Sequence, residues 1–358
     1  MPSGAFGMYP GQIMPGQIWG WIIALYLFLA GMSAGAYTTA YLSQRLYPHL
    51  KVVRWAGYIV APPLVIIGLA ALMIDAEAGF FHPWRFFFLY IGRPTSIMAI
   101  GVYILTLFTP LALYRTVVSL AEIWREGGEK KWPLGLDRFF ARPPEKFRWL
   151  VEGRDWIDFF GLVMAAATAT YTALLIGNIH GVPFWNNSVL PVLFVVSAFS
   201  TGIAITLFTA TAWDPKVQEH YAPYLTLSTS LKGFELFLLF VLLYFSWYGD
   251  QAAKASVADL LWGRLAFPFW VLLVFLGLAL PLWYELRERK HLLAGHVPVL
   301  LEGGFAGKGS ADAGNLSARL FSTSQLMHLF AIAGGFVLRY LILLAGHFVY
   351  FLPTWRFY

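Results

Sequence analysis

Two phenols and two carboxylates stand at comparable depth in otherwise apolar sequence: Tyr26, Tyr171, Asp75 and Glu77. Tyr171 lies seven residues before Asn178, which puts it about 10 Å below the surface of a helix that ends there. Tyr26 follows Gln17 by nine residues, about 13 Å deep on the same side. A phenol donor, an acid and an apolar wall suit a quinone headgroup, which needs hydrogen bonds to its oxygens and a proton acceptor when quinol is oxidised. Trp84, Asn178 and His180, in the adjoining connections, complete the candidate lining. The competing readings are plain. A buried tyrosine usually bonds a backbone carbonyl, and the carboxylates could be hydrated at the headgroups or paired with Arg85 or Arg93.

Deeper in the oil stand Arg339, near the middle of the last apolar stretch, and Glu235. A charge there costs a few kcal/mol or more, so each must find an internal partner or a water-filled path. Asp75, Glu77, Glu235 and Arg339 are therefore the candidate proton path; Glu235 is a possible partner for Arg339, although it is expected nearer the cytoplasmic face. The eight histidines offer no mid-membrane pair for a b-type haem. With no cysteine, thiolate metal sites and cysteine-ligated clusters are excluded within the chain. No metal site and no covalent cofactor are expected, and any cluster must sit on a partner.

These side chains need membrane helices to hold them. Of the 358 residues 59% are apolar and 12% charged, against roughly 25% charged in soluble domains. The chain is expected to be an all-α integral membrane protein. Apolar windows of about 20 residues centre on 17–42, 55–78, 96–118, 158–178, 189–212, 232–249, 266–284 and 326–351. The sixth is the weakest, because Lys232 and Glu235 intrude. The N-terminal stretch lacks Lys and Arg and runs too long for a cleaved signal, so it reads as a retained first helix.

Of the 25 Lys and Arg residues, 19 fall in or beside connections 1–2, 3–4, 5–6 and 7–8, five in the other connections and tails, and Arg339 inside the last helix. The positive-inside rule then puts those four connections in the cytoplasm and both termini outside. The net charge of +6 thus reports topology and a lipid bilayer, not nucleic acid. The expected organisation is an outer tail 1–16, a four-helix bundle 17–178 with a cytoplasmic 119–157 loop, a second bundle 189–351 with a flexible 285–325 loop, and an outer tail 352–358. Gly31 and Gly35 form a Gly-x-x-x-Gly step for close helix packing. Pro62 and Pro63 interrupt the second helix's hydrogen bonding.

The stretch "DAEAGFFHPWRFFFLYIGRPTSIMAIGVY" resembles the exit of the second helix in NrfD/PsrC-type membrane subunits. "WGWIIALYLFLAGMSAGAY" resembles that family's first helix, "YTALLIGNIHGVPFWNNSVLPVLF" its fourth-to-fifth turn, and "LRYLILLAGH" its last helix. The resemblance implies an eight-helix subunit in a bacterial inner membrane, binding an exchangeable menaquinone or ubiquinone. It also implies an iron–sulfur partner subunit at the outer face, and a catalytic subunit that carries molybdopterin or multiple haems. Tyr171 falls on the family's quinone-contacting tyrosine and Asp75 to Glu77 on its acidic helix exit. Where the polysulfide reductase subunit offers an amide and an imidazole in the first helix, this sequence has Ile23 and Tyr26. Two other functions stay open: a proton-translocating or purely anchoring subunit without quinone, and a stand-alone secondary transporter.

Overall fold

In a computed structural model of the chain, residues 13–15, 20–75, 95–126, 153–179, 181–293, 322–346 and 348–350 are described. Eight helices among them are long and apolar enough to cross a membrane, because in lipid each backbone N–H and C=O must be satisfied within the segment. The protein is a multi-pass membrane protein.

The helices are α1 (Trp21–Leu46), α2 (Lys51–Asp75), α3 (Ile97–Glu126), α4 (Asp155–Gly177), α5 (Val189–Trp213) and α6 (Ala222–Trp247). A short α7 (Gln251–Leu261) follows. The seventh span, α8, begins π-wound over Pro268–Ala279 and continues α-helically over Leu280–Leu293. The last is α9 (Thr323–Ala345), whose N-terminus carries a reciprocal cap between Ser322 and Gln325. Beyond α9, strand β2 (Phe348–Tyr350) pairs antiparallel with β1 (Ile13–Pro15), at the end of the molecule where α1 begins and α9 finishes.

Helices α1 to α4 pack as one group, α1 on α2 and α4, and α3 on α2 and α4. A second group, α6, α8 and α9, packs around α5, which itself packs on α1, α2 and α4. The groups thus join through α5, and glycine makes its contact with α1 possible. A Cβ on Gly35 would collide with the Ala198 carbonyl and Gly202, and one on Gly202 with the Gly35 backbone. Gly31 faces Ala198 and the Arg339 guanidinium. The Gly-x-x-x-Gly step thus serves the expected packing role, between α1 and α5.

The opposite end of the molecule is marked by ion pairs. Arg45 meets Asp155 at 3.3 Å and Lys51 meets Glu126 at 2.6 Å. The described helices correct several expected boundaries. The sixth span starts at Ala222 rather than 232, since Lys232 and Glu235 are buried inside it with partners and do not mark its edge. The connection expected from 119 begins only after Glu126, and the one expected from 285 only after Leu293.

Candidate functional site

At the end that holds the paired strands, α1 and α4 bring the two candidate phenols together. Tyr26 donates to the Tyr171 hydroxyl at 3.1 Å, and both side chains are buried. The sequence places them there simply. Tyr26 lies five residues into α1 and Tyr171 six before the end of α4, so antiparallel helices put them at one level. The Tyr171 ring lies against Gly101 of α3, where a methyl group would overlap it.

Because Tyr26 is the donor, the Tyr171 oxygen accepts and keeps its own proton for another acceptor. Among the described residues no acceptor takes it up. Ile23, one turn before Tyr26, is buried and contributes only apolar surface. The set fits a quinone oxygen at one point, the Tyr171 hydroxyl. Asn178, just past α4, is exposed and is not part of the pair. Glu77, Trp84 and His180 lie outside the described residues, as does the side chain of Asp75, the last residue of α2.

Arg339 of α9 is fully buried. It donates to the Ser197 hydroxyl at 3.1 Å, the Gly335 carbonyl at 3.0 Å and the Phe194 carbonyl at 3.3 Å. The rings of Phe28 and Phe194 flank it at 5.6 and 5.2 Å. Glu235 of α6 is also buried, close to Ser197 and Ser200 and within electrostatic reach of this guanidinium, but no ion pair joins the two charges among the described residues.

A second buried cluster extends from Glu235 toward the opposite end. Lys232 donates to Glu285 of α8 at 2.8 Å and to Ser228 at 2.5 Å, with Lys232 and Glu285 both sealed from solvent. His328 Nδ1 lies 4.0 Å from Glu285, and His328 Nε2 lies 3.4 Å from the Ser324 hydroxyl. Ser324 meets Tyr221 at 3.0 Å, and Tyr221 donates to Glu288 at 2.7 Å. Sequence reading missed Glu285, Glu288, Ser324 and Tyr221 as site residues. Their signal is spacing: Lys232 with Glu235 and Glu285 with Glu288 stand three apart, and Ser324 with His328 four apart, each pair on one helix face.

The first helix group has its own buried pair near the same end. Arg115 contacts Asp158 at 3.3 Å and donates to Gln44 at 2.7 Å, while Gln44 donates to Asp158 at 2.9 Å. Tyr58 donates to Gln44 at 2.9 Å and lies under the guanidinium. An open groove of about 520 Å³, lined by His49, Lys51, Trp55, Lys216 and His220 among others, also lies at this end. It is separate from the tyrosine pair.

A family profile described as "Polysulphide reductase, NrfD" matches residues 11–306, most of the chain. The chain belongs to the NrfD family. Among NrfD-family relatives, the C component of polysulfide reductase in Wolinella succinogenes is 31% identical over 273 residues, covering 74% of this chain and 81% of the relative. Protein NrfD of Escherichia coli is 30% identical over 74% of this chain and 83% of its own length. The C component of selenate reductase in Mesobacillus selenatarsenatis is 24% identical over 81% of this chain and 71% of its own length.

Proposed function

We propose that this NrfD-family chain is the membrane subunit of a respiratory oxidoreductase complex and reacts with a membrane quinone near the end that bears its termini. Its likeness to the C components of polysulfide and selenate reductases supports the coarser half of that reading. The observation that carries the finer half is the Tyr26–Tyr171 hydrogen bond, which leaves the Tyr171 proton to be donated.

A bound quinone supplies two-electron, two-proton redox chemistry between lipid and partner. Tyr171 donates its hydrogen bond to a quinone oxygen, and Tyr26 fixes the direction of that donation. Proton exchange falls to Asp75 and Glu77 and further contact with the quinone to Trp84 and His180, as the sequence assigns them. With no cysteine in the chain, the electrons pass to or from an iron–sulfur subunit docked at this end, which hands them to a catalytic subunit. Basic residues gather at the opposite end, among them Arg45, Lys51, Arg125 and Lys216. That distribution favours the cytoplasm for that end and the outer side of a bacterial inner membrane for both termini.

Tyr171→Phe in the assembled complex tests the reading. Loss of one hydrogen bond made to the reacting group slows quinol-linked turnover by roughly ten-fold. Unchanged turnover with intact assembly removes Tyr171 from the mechanism. The buried charges of the second helix group favour an alternative, ion translocation without quinone. Extraction of the purified complex decides between them: quinone above the level carried by its lipid supports the first reading, and lipid-level quinone the second.

A further inference from the structure

The groove at the charge-rich end is built from two turns that read alike in sequence. The α1–α2 turn is Tyr47-Pro48-His49-Leu50-Lys51, and the α5–α6 turn runs from Asp214 through Pro215 and Lys216 to His220. Each brings one lysine and one histidine to the groove wall, and Glu126, the last residue of α3, completes it. The groove therefore spans from the first helix group to the turn that leads into α6.

Its charges are balanced and only partly used. Lys51 and Glu126 already pair at 2.6 Å. Asp214 Oδ1 accepts the Lys216 backbone N–H at 3.0 Å, which leaves Asp214 Oδ2 and the Lys216 ammonium without an ion-pair partner among the described residues. The first turn of α2 also opens here, since Leu50, Lys51 and Val52 line the groove. Leu50, the residue before that helix, has no side-chain oxygen to cap it, so the first amide N–H groups present partial positive charge. A phosphate suits that set together with Lys216. A plain anion would leave Glu126 and Asp214 unanswered, because two lysines against two carboxylates give the groove no net charge with its histidines neutral. A group that carries phosphate and ammonium together answers both halves.

Position selects a lipid over a soluble ligand. Trp55 lines the groove, and its ring lies 6.4 Å from that of Trp213, which is half-exposed. Tryptophan gathers at the level of the headgroups, where pockets between membrane helices take lipid headgroups.

We propose that this groove binds the headgroup of a zwitterionic aminophospholipid of the phosphatidylethanolamine class, with its phosphate on Lys216 and the α2 N-terminus and its ammonium on Asp214 and Glu126. His49 and His220 add hydrogen bonds to the remaining ester oxygens. One lipid then ties the α1–α2 turn to the α5–α6 turn. The Gly35–Gly202 contact holds α1 to α5 within the membrane, and the headgroup holds the same helices at its surface. Quinone binding plays no part, because the groove is separate from the tyrosine pair.

The test titrates the full chain, purified in detergent, with phosphatidylethanolamine, phosphatidylcholine and phosphatidylglycerol of the same acyl composition, and reads the first lipid bound by native mass spectrometry. The ethanolamine lipid should bind about ten-fold more tightly than either of the others, since a choline ammonium cannot donate a hydrogen bond and phosphatidylglycerol has no ammonium. Lys216→Gln, on an exposed side chain, should weaken that binding about ten-fold. Asp214→Asn keeps the cap on the Lys216 N–H and should lower the affinity for the ethanolamine lipid to that for the choline lipid. Melting curves without lipid confirm that both variants fold. Glycerophosphoethanolamine, the same headgroup without acyl chains, should displace little of the bound lipid at equal concentration. Three results would overturn the proposal: phosphatidylglycerol binding as tightly as the ethanolamine lipid, ethanolamine-lipid binding unchanged in either variant, or full displacement by the soluble headgroup.

Discussion

The Arg115–Asp158 pair shows what one residue can cost in this protein. Both side chains are buried, and Gln44 binds each of them, donating to Asp158 and accepting from Arg115. Removing one charge leaves the other desolvated and unpaired, a change worth about 3–5 kcal/mol. Asp158→Ala should therefore lower thermal stability in detergent sharply, and the double variant Asp158→Ala with Arg115→Met should recover most of the loss. Light-scattering or fluorescence melting curves check this, and a double variant no more stable than the single refutes the coupling. At this scale the sequence was partly legible. Depth along a helix follows from counting residues, so Tyr26 and Tyr171 could be matched from their positions alone. Which face of the helix a residue occupies does not follow from depth. Lys232 and Glu285 lie on different helices, and nothing local to either announces that they meet at 2.8 Å.

At the scale of elements, the contact between α1 and α5 sets how the two helix groups sit. Lipid provides no hydrophobic drive to bring helices together, so close approach of small residues does that work. Gly35 and Gly202 face one another with no room for a Cβ on either. Gly202→Val should push α5 off α1, dislodge Ser197 from Arg339, and leave little monodisperse protein by size-exclusion chromatography. Gly233→Ala on α6 is the control, since nothing lies within 4 Å of its added carbon; a helical Gly replaced by Ala gains up to about 1 kcal/mol by propensity. Equal recovery of both variants would show that the α1–α5 contact is not limiting. Eight spans were legible because a run of about 20 apolar residues is a strong signal. The start of the sixth was not, because intramembrane charges look like a helix edge until their partners on other helices are known.

For the whole molecule, the distribution of charge sets orientation. Arg45, Lys51, Arg54, Arg125, Lys216 and Arg287 stand at one end, while the described residues of the other end offer Lys254 and Arg264. Loops rich in Lys and Arg stay in the cytoplasm during insertion, so the end with α7 and the paired terminal strands should face outward. The absence of native cysteine makes a direct test possible. Gln251→Cys, exposed at the start of α7, should react with a membrane-impermeant maleimide in intact spheroplasts. Lys216→Cys, exposed in the turn between α5 and α6, should react only after permeabilisation. The reverse pattern would invert the molecule and place the tyrosine pair at the cytoplasmic side. Labelling thus fixes the side of the proposed quinone chemistry: with the charge-rich end in the cytoplasm, it exchanges protons at the outer side.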